Sequence, residues 1–220
     1  MPGPLDPSLA DALAALASGQ AHDQTLAELE GRADALGLPM VDRATGSFVA
    51  LVLRAVGARR VVELGAGHGD LTWWLAGATG ADREVLVVTD PDETDGIEVA
   101  LRRGGRFAGV RLRGASHPAP ASPDHLAEVA GPLDAVVVRD VTARLVEVVG
   151  EVGARLRDGG VLLVEGVLAD GAPAGRAAAV VRDALEDPEL WASVVPLGRG
   201  WLVALRARSD LGGAATDQLW

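Results

Sequence analysis

Glu63, with glycines at 65, 67 and 69 behind it, is the arrangement in this chain best suited to chemistry. The stretch Arg60-Val61-Val62-Glu63-Leu64-Gly65-Ala66-Gly67-His68-Gly69-Asp70 leads into the apolar run Leu71-Thr72-Trp73-Trp74-Leu75-Ala76. That order predicts a strand, a glycine-rich turn and a helix. Glycine is needed where a turn takes positive φ or where a ligand lies against bare backbone. A turn of this kind at the carboxyl end of a strand is where open α/β sheets bind ligands. A pyrophosphate site would read Gly-x-Gly-x-x-Gly, with the helix start left uncharged. Here the sixth position is Asp70, whose carboxylate would repel it. A nucleotide-dependent oxidoreductase is therefore the weaker reading.

Further acids fall where strands should end. Thr89-Asp90-Pro91-Asp92 lies about 20 residues past the loop, where an acid suits the two hydroxyls of a ribose. Asp90 is the candidate there, and Asp92 is a candidate cap for the next helix. Asp140, after Val138-Arg139, and Glu165, after Val164, belong to the same sheet edge. They suit a substrate, a metal ion or Arg139, and an Arg139–Glu165 pair would be structural. Of the four histidines, His68 lies in the loop, facing a ligand or solvent. His117 follows the third strand, where it suits stacking or general-base work. His22 and His125 are expected at the surface. No Gly-x-Ser-x-Gly elbow is present, no two histidines have metal-ligand spacing, and there is no lysine for a Schiff base and no cysteine.

The elements that would position these residues alternate from Arg60 onward. Strands are expected at Arg60–Leu64, Val85–Thr89, Gly109–Leu112, Ala135–Arg139, Val161–Glu165, Ala192–Val195 and Trp201–Arg206. Helices are expected at 71–79, 94–104, 123–130, 143–156 and 174–187. Short continuous apolar strands imply a sheet buried on both faces, and strand–helix alternation implies right-handed parallel units. The short link Leu197-Gly198-Arg199-Gly200 predicts a closing hairpin, hence an antiparallel strand at that edge. The fold class is thus α/β: a Rossmann-like, seven-stranded, mostly parallel sheet with an antiparallel edge strand, helices on both faces and an N-terminal helical cap. Residues 1–38 form the cap, as two amphipathic helices. A third helix, from Thr45 to Val56, places Phe48, Leu51, Val52 and Ala55 for burial. Residues 39–206 form the main domain, and 207–220 a tail. A net charge of −11 disfavours nucleic acid and anionic membrane. No apolar run of membrane-spanning length and no signal segment occur, so a cytoplasmic location is expected.

From Gly46 onward the chain resembles the catechol and caffeoyl-CoA type O-methyltransferases, including their small bacterial and archaeal relatives. The likeness runs through Gly46–Gly65, Asp90-Pro91-Asp92, Leu133–Val138, Leu156–Val164 and Leu197–Leu205. It implies S-adenosylmethionine (SAM) as methyl donor, a small-molecule acceptor and commonly a homodimer. It also implies that Glu63, Gly65, Ala66, Gly67 and Gly69 hold the methionine part of SAM, and Asp90 its ribose. SAM carries a sulfonium and an ammonium but no phosphate, so acids near the loop favour it.

The departures concern the chemistry. Relatives end strand four with Ile-Asp-Ala-Asp-Lys, whose first Asp binds a divalent metal and whose Lys is the base. Ungapped counting from Gly159-Gly160 places those positions at Arg139 and Thr142. The second metal segment, Ala-Asp-Asn, becomes Val164-Glu165-Gly166. After strand three, Gly-Asp-Ala becomes Gly114-Ala115-Ser116. Two readings follow: a SAM-dependent O-methyltransferase that does not depend on a divalent metal, with Asp140, His117 or Glu165 as base and Arg139 free for an anionic acceptor; or a catalytically inactive SAM-fold protein acting as a binding or assembly subunit.

Overall fold

A computed structural model describes residues 24–37, 40–79, 82–115, 123–126, 129–139, 145–169 and 174–208. The first expected helix and the tail beyond 208 lie outside them. Among the described residues seven strands form one sheet: β1 (Arg60–Leu64), β2 (Glu84–Thr89), β3 (Val110–Gly114), β4 (Leu133–Val138), β5 (Leu156–Glu165), β6 (Leu190–Val195) and β7 (Trp201–Arg206). Their spatial order is β3-β2-β1-β4-β5-β7-β6. The first five strands are parallel, and β7 runs antiparallel to both β5 and β6. The hairpin closes that edge with β7 lying inside β6, because β7 takes the open side of β5 and β6 pairs only with β7.

Five strands differ in their bounds from expectation: β2 starts one residue early and β6 two, and β4 runs from Leu133 to Val138. β3 starts one residue later and runs on to Gly114. β5 starts at Leu156, five residues early, because Leu133 pairs with Leu156 across a register shift before Ala135 pairs with Val161.

Period-two alternation sorts the strand residues into two cores. Val61, Val85, Val87, Ala135, Val137, Val161 and Leu163 face one side. Val62, Leu64, Val88, Val136, Val138, Leu162 and Val164 face the other. The first side is covered by α1 (Gln24–Leu36), α2 (Arg43–Ala55), α3 (Asp70–Thr79) and α4 (Thr94–Arg103). The second is covered by α5 (Leu145–Arg155) and α6 (Ala174–Glu186). Helix α3 is buried along nearly all its length, which explains a sequence apolar on every side.

Helix α2 is turned partway from the face its apolar residues predict: Phe48 and Val52 are half-buried against the core, but Ala55 is exposed. Thr45, Gly46, Val49 and Leu53 are buried, whereas Leu51 is 65% exposed. The cause is Gly46: a methyl group there would overlap the Trp74 indole of α3, so the small-residue face makes the close crossing. Asp42 caps this helix, accepting from the Thr45 amide at 2.9 Å. In place of a helix at 123–130 the described residues hold a 3-10 turn, Pro123–Leu126, and Gly131-Pro132 ends the segment soon after. His125 is buried in that turn, not at the surface, since the turn packs beside α5.

Candidate functional site

The parallel register brings the strand-end residues together. Glu63 pairs with Val137, and Val138 pairs with Val164. Residues 63, 139 and 165 therefore lie at one sheet edge and on one face, the face covered by α3. The chain turns off β1 through Gly65, Gly67 and Gly69, at φ +82°, +57° and +89°. Gly69 also has no room for a side chain, as a Cβ would stand 2.8 Å from Ile97 Cγ1. The Gly65 amide donates to the Val88 carbonyl at 2.9 Å. The Gly69 amide donates to the Ala66 carbonyl at 3.1 Å, and Thr89 Oγ1 donates to the Gly67 carbonyl at 3.0 Å. The loop that leaves β1 is thus clamped to the end of β2.

Arg139 lies at the centre. It is 8% exposed, and its Nε donates to Glu165 Oε2 at 2.9 Å. Nη1 donates to Asp70 Oδ1 and to the Ala66 carbonyl, and Nη2 reaches Asp70 Oδ2 at 3.4 Å. Burial lowers the guanidinium's proton affinity, but Asp70, Glu165 and Glu63 outweigh it and hold the charge more firmly than usual. The second oxygen of Asp70 also accepts from the Val41 amide at 2.7 Å, tying the segment before α2 to the site. The expected Arg139–Glu165 pair forms. The second partner, Asp70, had a sequence signal in its place at the helix start, directly after the glycines.

Glu63 is fully buried. Its Oε2 accepts from Thr72 Oγ1 at 2.6 Å, while Oε1 has no hydrogen-bond partner. Burial pushes this carboxyl up to about 7, against the opposing pull of Arg139 and Thr72. His68, expected to face a ligand or solvent, is 5% exposed and its Nε2 is likewise unpartnered. Asp90 is exposed at the end of β2. Its Oδ1 accepts from the Asp92 amide at 3.0 Å. Asp92 is therefore not a helix cap, because Asp90 takes that place ahead of the short turn Pro91–Glu93, and α4 starts after Glu93 without a side-chain cap. Asp140 and His117 lie outside the described residues.

The groups present fit SAM. The loop offers an unpartnered buried carboxyl oxygen for a cation, and Asp90 stands at the matching edge of β2 for a diol. The described residues offer no such set to a divalent metal. The position that would hold its first ligand carries a buried guanidinium, already neutralising the neighbouring acids. Among the described residues no three side chains of ligand type come together.

An open sheet of this order, with a glycine turn and acid at β1 and a second acid at β2, is the frame of a Rossmann-like methyltransferase. No protein-family model matches the chain. It is 32% identical over 219 residues to a Mycobacterium tuberculosis H37Rv protein named "Probable O-methyltransferase Rv1220c", covering 94% of this chain and 96% of that one. Among solved structures, cofactor-bound Rv0187 of M. tuberculosis superposes with a TM-score of 0.76 at 27% identity, covering 94% and 100%. The Bacillus cereus O-methyltransferase in complex with SAH shares the fold, with a TM-score of 0.70 at 21% identity and coverage of 84% and 91%. The chain belongs to the SAM-dependent O-methyltransferase family.

Proposed function

We propose that this protein transfers the methyl group of SAM to a hydroxyl of a small-molecule acceptor without a divalent metal. The observation that carries the reading is Arg139, buried between Asp70 and Glu165. A fixed cation sits where metal-dependent relatives place a ligand, and a divalent ion beside it would meet like charge. SAM, when bound, supplies an electrophilic methyl on a sulfonium. Glu63 and the Gly65–Gly69 turn hold its methionine half, and Asp90 its ribose. The acids around Arg139 outnumber it, so the site favours that cationic donor.

The acceptor's proton passes to Asp140 or His117. Glu165 is the least suited of the three candidates, because its Oε2 is already taken by the Arg139 guanidinium at 2.9 Å. The same pairing spends the guanidinium, so Arg139 is no longer the group we assign to an anionic acceptor. Residues 39–206 form the catalytic body and 1–38 its cap, and the working form is a cytoplasmic homodimer. An acidic chain of net charge −11 suits small-molecule acceptors better than nucleic acid or anionic membrane. Among the described residues no helix is long and apolar enough to cross a membrane.

The test is methyl transfer from labelled SAM to a panel of phenolic and hydroxyl acceptors, with EDTA and with added Mg²⁺. Equal turnover in both supports the proposal, and turnover that EDTA abolishes refutes it. The tied-up Glu165 also favours a second reading, an inactive SAM-fold subunit. That reading requires SAM binding, or none, with no turnover on any acceptor, and turnover lost on Asp140→Ala refutes it.

A further inference from the structure

We propose that His68 is the positioning residue for the carboxylate of the methionine half of SAM. The proposal rests on the SAM reading above and asks how the loop holds that end of the cofactor. The methionine end is an α-amino acid zwitterion, so it needs an acceptor for its ammonium and a donor for its carboxylate. The segment from β1 to α3 holds one group of each kind in reserve. Glu63 Oε1 and His68 Nε2 are both buried and both lack a hydrogen-bond partner. Buried polar atoms are nearly always paired. Of the four unpartnered ones among the described residues, the indole nitrogens of Trp74 and Trp201 belong to α3 and β7, whereas Glu63 Oε1 and His68 Nε2 lie five residues apart, at the end of β1 and in the glycine turn that follows, where a zwitterion would supply a partner for both.

The charged donor at this sheet edge is committed, and Trp201 Nε1, another unpartnered donor, lies on β7 and not in the turn. Arg139 is spent on Asp70, Glu165 and the Ala66 carbonyl. The start of α3 would ordinarily attract an anion, but its first residue is the buried Asp70. His68 has none of these commitments, and its backbone is fixed. It stands between Gly67 and Gly69 in the turn closed from Gly69 to Ala66 and clamped to Thr89. With Nε2 protonated, the imidazole donates to the carboxylate while Glu63 accepts from the ammonium.

The test compares two probes by calorimetry on the full chain: SAM, and decarboxylated SAM, which keeps the ammonium, sulfonium and adenosine. The wild type should bind SAM more tightly. His68→Ala should weaken SAM roughly tenfold or more and leave decarboxylated SAM within about twofold. His68→Gln, which keeps a donor, should recover part of the loss. Thermal melts without ligand establish that each variant is folded, and His68→Gln carries the comparison if His68→Ala is not. Equal weakening of both probes, or of neither, overturns the assignment. A wild type that binds neither probe overturns the SAM reading itself, and this inference with it.

Discussion

Replacing Glu63 by glutamine should make the protein more stable and a poorer binder of SAM. The carboxyl is wholly enclosed, accepts one hydrogen bond from Thr72 and leaves Oε1 unpartnered. Burial raises it from its ordinary 4.5 to about 7. The folded chain therefore holds this proton more tightly than the unfolded chain. Its contribution is fully present below the unfolded value, fades as pH rises through the interval from 4.5 to about 7, and is gone above it. At roughly 1.4 kcal/mol per pH unit, the full loss is about 3 kcal/mol. Glutamine is close in shape to the protonated acid and does not titrate. Urea denaturation of both proteins from pH 4 to pH 8 should give nearly equal stabilities at the acid end. The variant's advantage should grow to at most about 3 kcal/mol at pH 8. SAM titration at pH 8 should show the opposite sign, because the variant has lost the buried anion that meets the ammonium. A charge-assisted hydrogen bond of about 1.5–3 kcal/mol corresponds to a ten- to hundredfold weaker Kd. A stability difference that does not change with pH refutes the electrostatic reasoning, and unchanged SAM affinity refutes the role given to Glu63.

Arg139→Met leaves Asp70 and Glu165 buried without their cation and should cost about 3–5 kcal/mol, read as a fall in urea midpoint. Asp90→Ala should weaken both SAM and 5′-methylthioadenosine about tenfold in calorimetry, since the ribose is common to both, while the lost turn hydrogen bond costs about 1 kcal/mol of stability. Gly46→Ala sets a methyl against the Trp74 indole and should lower stability by about 1–3 kcal/mol through overpacking, read by thermal melting. Gly69→Ala combines a φ of +89° with contact to Ile97 and should lower SAM affinity along with stability, since it distorts the turn itself.

The family and the sheet were legible in the sequence because both are written locally. Alternation of β-branched runs with helical segments specifies a parallel sheet, and glycines after Glu63 mark a turn that needs positive φ. The buried face of α2 was legible only in part. Its apolar residues favour Leu51, but the close crossing at Gly46 and Trp74 turns the helix partway from that face, a choice made by shape between segments distant in sequence. The extra length of β5 and the burial of His125 likewise depend on pairing and packing partners that no local pattern names. The site divides along the same line. Which residues are acids, which are glycines and that an arginine replaces a ligand were visible in the chain, since residue type is itself the information. That the guanidinium of Arg139 is shared by Asp70 and Glu165, leaving Glu63 and His68 buried with unpartnered atoms, was decided by the tertiary structure. Strand register and the placement of α3 set those distances, and burial, which only the assembled fold supplies, sets their energies.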